Sequence, residues 1–176
     1  MAEDKKEPWL NLLALTTVIL AVCATLATFK GGGYSTKTVL NQAMASDEWA
    51  HYQAKGIKGN LYEVEALRLK REIELAPKTA LPVLEKSLAD VEKKIAKYEG
   101  EKAEIDKKAR GFEDAKADAQ KHGAPFGLAV IFLQIAILLS SIAALMKKQP
   151  VYWAGLVVGA VGMVYFANGF FLFFRV

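Results

Sequence analysis

The sequence predicts an all-α protein: three transmembrane helices, with an extramembrane antiparallel coiled-coil helical hairpin between the first and second. Two observations carry this expectation. First, Trp9–Phe29, Phe126–Met146 and Val151–Phe174 contain no Asp, Glu, Lys, Arg or His over 21, 21 and 24 residues. A hydrocarbon core of roughly 30 Å needs about 20 helical residues at 1.5 Å rise. Backbone groups there must be satisfied within the segment, and unalternated apolar runs exclude a barrel. Second, 34 of the 42 charged residues fall between Lys30 and His122, as 18 Lys/Arg and 16 Asp/Glu. That middle segment is built for water.

The expected organisation is a charged tail (1–8), a first span (9–29), the hairpin (30–125, turn at 77–82), a second span (126–146), a basic loop (147–150) and a third span (151–174). Pro8 suits a first helical turn, where no N–H donor is required. The first run is too long for a signal-peptide apolar region and lacks a clear small-x-small site after it, so a retained anchor is expected. Gly31-Gly32-Gly33 reads as a flexible joint, and Ser35 or Thr36 as the cap of a new helix.

Two arms of near-equal length follow, Ser35–Ala76 and Pro82–His122. In the first, Tyr62, Ala66, Leu69, Ile73 and Ala76 repeat at four and three residues, and Leu61, Val64, Leu67 and Leu75 are expected to widen that apolar face. Gly56 and Gly59 are expected to kink it. Pro77 and Pro82 bracket the turn. In the second arm Leu81, Leu84, Leu88, Val91, Ile95, Tyr98, Lys102, Ile105, Ala109 and Phe112 form a heptad seam with only Lys102 out of type. Gly123-Ala124-Pro125 predicts a break or kink before the second span.

The middle segment carries a net charge of about +2, which is no nucleic-acid footprint. Cys23 is the single cysteine, so no intrachain disulfide can form. His51 and His122 are the only histidines, and no HxxxH or CxxC accompanies them, so no metal and no cofactor is expected. Gly31-Gly32-Gly33 lacks the following GK[ST] of a phosphate loop. No G-x-S-x-G or HExxH appears, and the spans lack the ionisable relay that coupled transport uses. Neither an enzyme nor a coupled transporter is expected.

Association chemistry is more visible. Gly155 and Gly159 form GxxxG, extended by Gly162, and Ala136, Ser140 and Ala144 repeat the spacing on the second span. The seam residues Leu88, Val91, Ile95 and Tyr98 offer a second surface for packing or oligomerisation. Lys94 and Lys108 would meet Glu99 and Glu113 of a neighbouring copy in a parallel pairing, so a parallel, rotationally symmetric homo-oligomer is expected. Gln134 and Asn168 stand at matching depths in antiparallel spans and are expected to hydrogen-bond each other. Trp49, His51 and Tyr52 form a polar-aromatic cluster, read as packing against the second arm near Phe112 or as a partner patch.

Orientation signals conflict. More Lys and Arg flank the hairpin, but long segments translocate largely regardless of charge, and the short loop Lys147-Lys148-Gln149-Pro150 is purely basic. The loop favours a cytoplasmic N-terminus with the hairpin and C-terminus outside.

The stretch ASDEWAHYQAKGIKGNLYE, Ala45–Glu63, resembles the signature of an uncharacterised family of small bacterial inner-membrane proteins catalogued as a domain of unknown function. The flanking layout is similar: one apolar helix before it, a charged helical stretch after it, then two apolar helices joined by a basic turn. The resemblance implies a bacterial cytoplasmic membrane and no reaction or ligand. Separately from it, the apolar spans make the lipid bilayer an expected partner, and a hairpin that docks other envelope proteins is the alternative to self-assembly.

Overall fold

The computed structural model describes residues 8–175. The described residues form three helices: α1 (Pro8–Leu75), α2 (Leu81–Met146) and α3 (Gln149–Phe171). No strand occurs among the described residues. All three helices are long and apolar enough, over part of their length, to cross a membrane. The contacts divide the chain into two compact units, Met1–Val39 with Lys116–Val176, and Leu40–Ala115. The expected tail (1–8) lies outside the described residues up to residue 7.

Two expected breaks are absent. α1 runs without interruption through Gly31-Gly32-Gly33 and past Gly56 and Gly59. Thr36 does not cap a new helix. Its Oγ1 donates to the Gly32 carbonyl at 3.0 Å, a bond made inside a continuing helix. α2 likewise runs through Gly123-Ala124-Pro125. An interior proline costs about 3 kcal/mol of helix stability. Here Pro125 and Phe126 are both buried, and the packing of that level offsets the local cost. Propensity is a weak prior where tertiary contacts decide.

The turn lies where the prolines place it. Ala80 N–H donates to the Pro77 carbonyl at 2.9 Å, and Leu84 N–H to Ala80 at 3.3 Å as α2 begins. Between α2 and α3, Lys147 takes the left-handed conformation at φ 51°, and Lys148 N–H reaches back to the Ala143 carbonyl at 3.2 Å. This closes α2 without glycine. Pro150 then falls in the first turn of α3.

In the unit formed by Met1–Val39 and Lys116–Val176, one core joins Leu20, Ala24 and Ala27 of α1 to Phe126, Ala129, Leu133 and Ala136 of α2. A second joins Leu13, Ala143 and Tyr152. α3 meets them through glycines. A Cβ at Gly155 would stand 3.1 Å from Leu139 Cβ, and one at Gly162 2.9 Å from Leu133 Cγ. Close backbone approach through small residues is the usual means of packing helices in lipid, where no hydrophobic force drives one helix onto another.

In the unit Leu40–Ala115, α1 and α2 face each other in opposite order: Gly59 lies beside Tyr98 and Gly56 beside Lys102. The buried α1 positions Ala45, Gly59, Ala66 and Leu69 and the buried α2 positions Ile105 and Ala109 line this face. Leu61, Val64, Leu67 and Leu75 do not widen it. They are exposed, between 58% and 88%. In a heptad, positions displaced by one or two residues from a seam swing to the far side of the helix.

Candidate functional site

The hairpin contact is a ladder of rings and cations. Tyr62 and Tyr98 stack at 5.7 Å between centroids. The Lys94 ammonium lies 5.0 Å from the Tyr62 ring, and that of Lys55 5.5 Å from Tyr98. Lys55 also pairs with Glu101, Nζ to Oε2 at 2.6 Å. That bond and the positive charge of Lys55 hold the Glu101 carboxyl below its ordinary value, with Lys97 and His51 adding to the field. Lys70 pairs with Glu92 at 3.1 Å closer to the turn.

Lys102, the residue out of type in the seam, has a structural reason. Its Nζ donates to Glu99 Oε1 at 2.9 Å and lies 5.3 Å from the Tyr52 ring. The Glu99 bond raises its pKa above the ordinary lysine value. Gly56 and Gly59 face the second arm: a Cβ at Gly56 would stand 4.0 Å from the Lys102 stem and one at Gly59 3.8 Å from Tyr98 Cβ, both ordinary contacts.

The cluster of Trp49, His51 and Tyr52 is partly drawn into this ladder. Trp49 and Tyr52 meet edge to face at 5.6 Å. Trp49 Nε1 donates to Glu113 Oε1 at 3.0 Å, and the Arg110 guanidinium stands 6.0 Å from its ring. The partners are therefore the polar neighbours of Phe112. His51 remains exposed, 4.0 Å from Glu48.

The residues expected to mediate association are engaged within the chain. Gly155, Gly159, Gly162, Ala136 and Ser140 are buried between α2 and α3, with Leu20 of α1 against Gly159. Ala144 packs against the Leu13–Ala143–Tyr152 core. Leu88, Val91, Ile95 and Tyr98 are half-buried on the seam face of α2. Of the charges assigned to a neighbouring copy, Lys94 covers Tyr62, Glu99 binds Lys102 and Glu113 binds Trp49.

Gln134 and Asn168 do not pair. Gln134 is exposed on the outer face of α2. Asn168 is fully buried and bonds both ways with the backbone of Phe174: Nδ2 donates to its carbonyl and Oδ1 accepts from its N–H, each at 3.0 Å. Depth along the axis, which chain length supplies, carries no information on rotation about it. The same bonds explain why α3 stops at Phe171 instead of Phe174. Leu172 turns left-handed at φ 51°, its N–H returns to the Asn168 carbonyl at 2.8 Å, and the Asn168 amide holds the residues that follow.

Tyr34 and His122 form a junction that sequence reasoning missed. Their rings stack at 5.1 Å, and Tyr34 also stacks on Phe126 at 6.0 Å. His122 Nδ1 donates to the Gly169 carbonyl at 2.9 Å, which makes that nitrogen the protonated one. The signal was present: Tyr34 and His122 are about equally far from the turn in chain length. Among the described residues, no group of three or more His, Cys, Asp or Glu is placed to hold a metal ion.

The family described as domain of unknown function (DUF4337) matches residues 9–172, nearly all that has been described. The chain belongs to this family. No curated protein and no solved structure matches it.

Proposed function

We propose that this DUF4337 protein is a multi-pass protein of a bacterial cytoplasmic membrane, non-enzymatic, whose helical hairpin stands outside the bilayer and serves as a scaffold between copies of itself. The observation that carries this reading is the contrast between the two units. In one, three apolar segments pack through glycine and alanine while Leu15, Val18, Val22, Ile131, Leu138 and Val157 stay exposed on the outside, as lipid-facing side chains would. In the other, the apolar seam is flanked by rings, carboxylates and cations that border water, among them Lys55–Glu101, Lys70–Glu92 and Lys94 over Tyr62. A hairpin of that kind presents surface and little enclosed space.

Supporting a cytoplasmic N-terminus is the short basic turn at Lys147-Lys148. A periplasm-specific reporter fused after Val176 should then be active and one after Lys148 silent. The reverse pattern makes the hairpin cytoplasmic. Mass in mild detergent tests the scaffold itself: a monomer at all accessible concentrations rejects it.

A second reading is a passive channel formed by several copies. It is favoured by Gln134, an amide on the outer face of a membrane-length segment, with Gly127 and Ser141 exposed seven residues to either side. An amide in lipid costs several kcal/mol unless satisfied. A neighbouring subunit or a lumen would satisfy it. Permeability of proteoliposomes to small solutes, lost or altered in Gln134→Leu, decides between the two.

A further inference from the structure

We propose that the outer face of α1 between Ala43 and Leu67 is the docking surface for a second copy of the chain, paired in parallel and in register. The inference rests on the scaffold reading and says where the copies meet.

Most of the residues expected to join copies make contacts within the chain, and Lys108 alone among the assigned charges stays exposed without one described. What α1 leaves open is a second heptad seam. Ala43, Ser46, Ala50, Gln53, Ile57, Asn60, Val64 and Leu67 alternate steps of three and four without a charge, and all eight are exposed. The buried seam of the same helix passes through Ala45, Tyr52, Gly59, Tyr62, Ala66 and Leu69. Both repeat every seven residues, so they stay on opposite sides of α1 throughout, and the chain's own α2 never reaches the outer one. Ile57, Val64 and Leu67 are each more than half exposed, as is the adjoining Leu61. An aliphatic patch of this kind, continued by an uncharged stripe, marks an interaction surface more often than an ordinary solvated face.

The composition selects the partner. Four residues are small (Ala43, Ser46, Ala50 and, beside them, Ala54), which permits close approach at one end of the stripe. Branched aliphatics fill the other. Two copies anchored in one bilayer present this stripe at the same heights, so each small residue meets itself and Ile57 meets Ile57. The amides of Gln53 and Asn60 meet their own counterparts and can hydrogen-bond there. A slip of one heptad would set Asn60 against Leu67 instead, so the asparagine fixes the register. The flanking charges agree. In a parallel coiled coil, the residue just before one seam position faces the residue five further along in the neighbour. That rule sets Glu63 against Arg68, twice by symmetry, and Gln42 against Asp47. No like charges are opposed by it.

The test uses the full chain in membranes, in a Cys23→Ala background. Asn60→Cys should form a disulfide between copies, and Lys93→Cys, on an exposed position of α2, should not. Glu63→Arg and Arg68→Glu should each lower the dimer fraction several-fold, and the double variant should restore it to near that of the parent. Ile57→Asp should abolish it. Helicity and an intact Gly59–Tyr98 level, read by an intrachain crosslink, show that the hairpin still forms. Only self-pairing is rescued by exchanging both charges on one chain. A dimer indifferent to Ile57→Asp and to both charge reversals overturns the inference while leaving the scaffold reading intact. Loss in each single variant without rescue in the double shows that Glu63 and Arg68 do not face each other across copies, and it also overturns the inference. A monomer throughout overturns both.

Discussion

The Phe126 ring lies against the backbone of Gly169. A Cβ added at Gly169 would stand 2.7 Å from Phe126 Cζ and under 3 Å from both Cε atoms. Phe126 is itself fully buried, and Phe166 and Phe170 meet its ring edge to face at 6.0 and 5.0 Å. The ring therefore sets the distance between α2 and α3 at this level, one residue after a proline that sequence alone would read as a helix break.

Gly169→Ala should accordingly destabilise the bundle by about 1–3 kcal/mol, the usual range for overpacking a closed core. Thermal unfolding in detergent measures it. Phe126→Leu should be destabilising alone and should recover part of the loss when combined with Gly169→Ala. A neutral Gly169→Ala would show that the ring can rotate away.

Asn168 and Gln134 should behave independently. Asn168→Ala removes both bonds to Phe174 and leaves the end of α3 uncovered, at a cost of about 1–3 kcal/mol for the unpaired backbone groups. Gln134→Leu changes no contact that positions another element, so the monomer's unfolding midpoint should stay within experimental error. In a double-mutant cycle the two should add, since residues without a shared partner do so within a few tenths of a kcal/mol. A coupling of about 1 kcal/mol or more would bring back the direct amide pair.

The helical class, the three apolar stretches and the turn were legible because apolar length and proline chemistry are local properties. The seam of α2 was legible for the same reason, and its one misfit, Lys102, marks the cation over Tyr52. Rotation was not legible. Periodicity shows that a helix has an apolar stripe but not which stripe faces the partner when there are two. Leu61, Val64 and Leu67 were assigned to the wrong one. The Gly31-Gly32-Gly33 joint failed differently. Glycine weakens a helix by roughly 1 kcal/mol per residue, yet a Cβ at Gly31 would already press Phe126 Cβ at 3.2 Å, so the residue serves packing inside a continuous helix.

The antiparallel register gives a geometric test. In a Cys23→Ala background, paired cysteines at Gly59 and Tyr98, where the structure puts a Gly59 Cβ 3.8 Å from Tyr98 Cβ, should form an intrachain bond with short oxidants. Moving one of the two by two residues turns it away from its partner and should reduce the yield sharply. Equal yields at both registers would mean that the arms slide.

The hairpin should lose stability at both extremes of pH, for separate reasons. Glu101 has a folded pKa held below its ordinary value, chiefly by the Lys55 bond. Its contribution is therefore present above the unfolded carboxylate pKa and disappears as the pH falls through the lower, folded one. Lys102 is raised, chiefly by Glu99, so its contribution is present below the unfolded lysine pKa and disappears as the pH rises through the higher, folded one. Both side chains border water, so each limb should be shallow and should flatten further in high salt. Melting followed by helicity from about pH 3 to about pH 11 spans the ordinary carboxylate and lysine ranges and resolves the two limbs. Glu101→Gln should remove most of the acid limb and leave the alkaline one, and Lys102→Met should do the opposite. If Glu101→Gln left the acid limb unchanged, the Lys55–Glu101 pair would not be what acid disrupts.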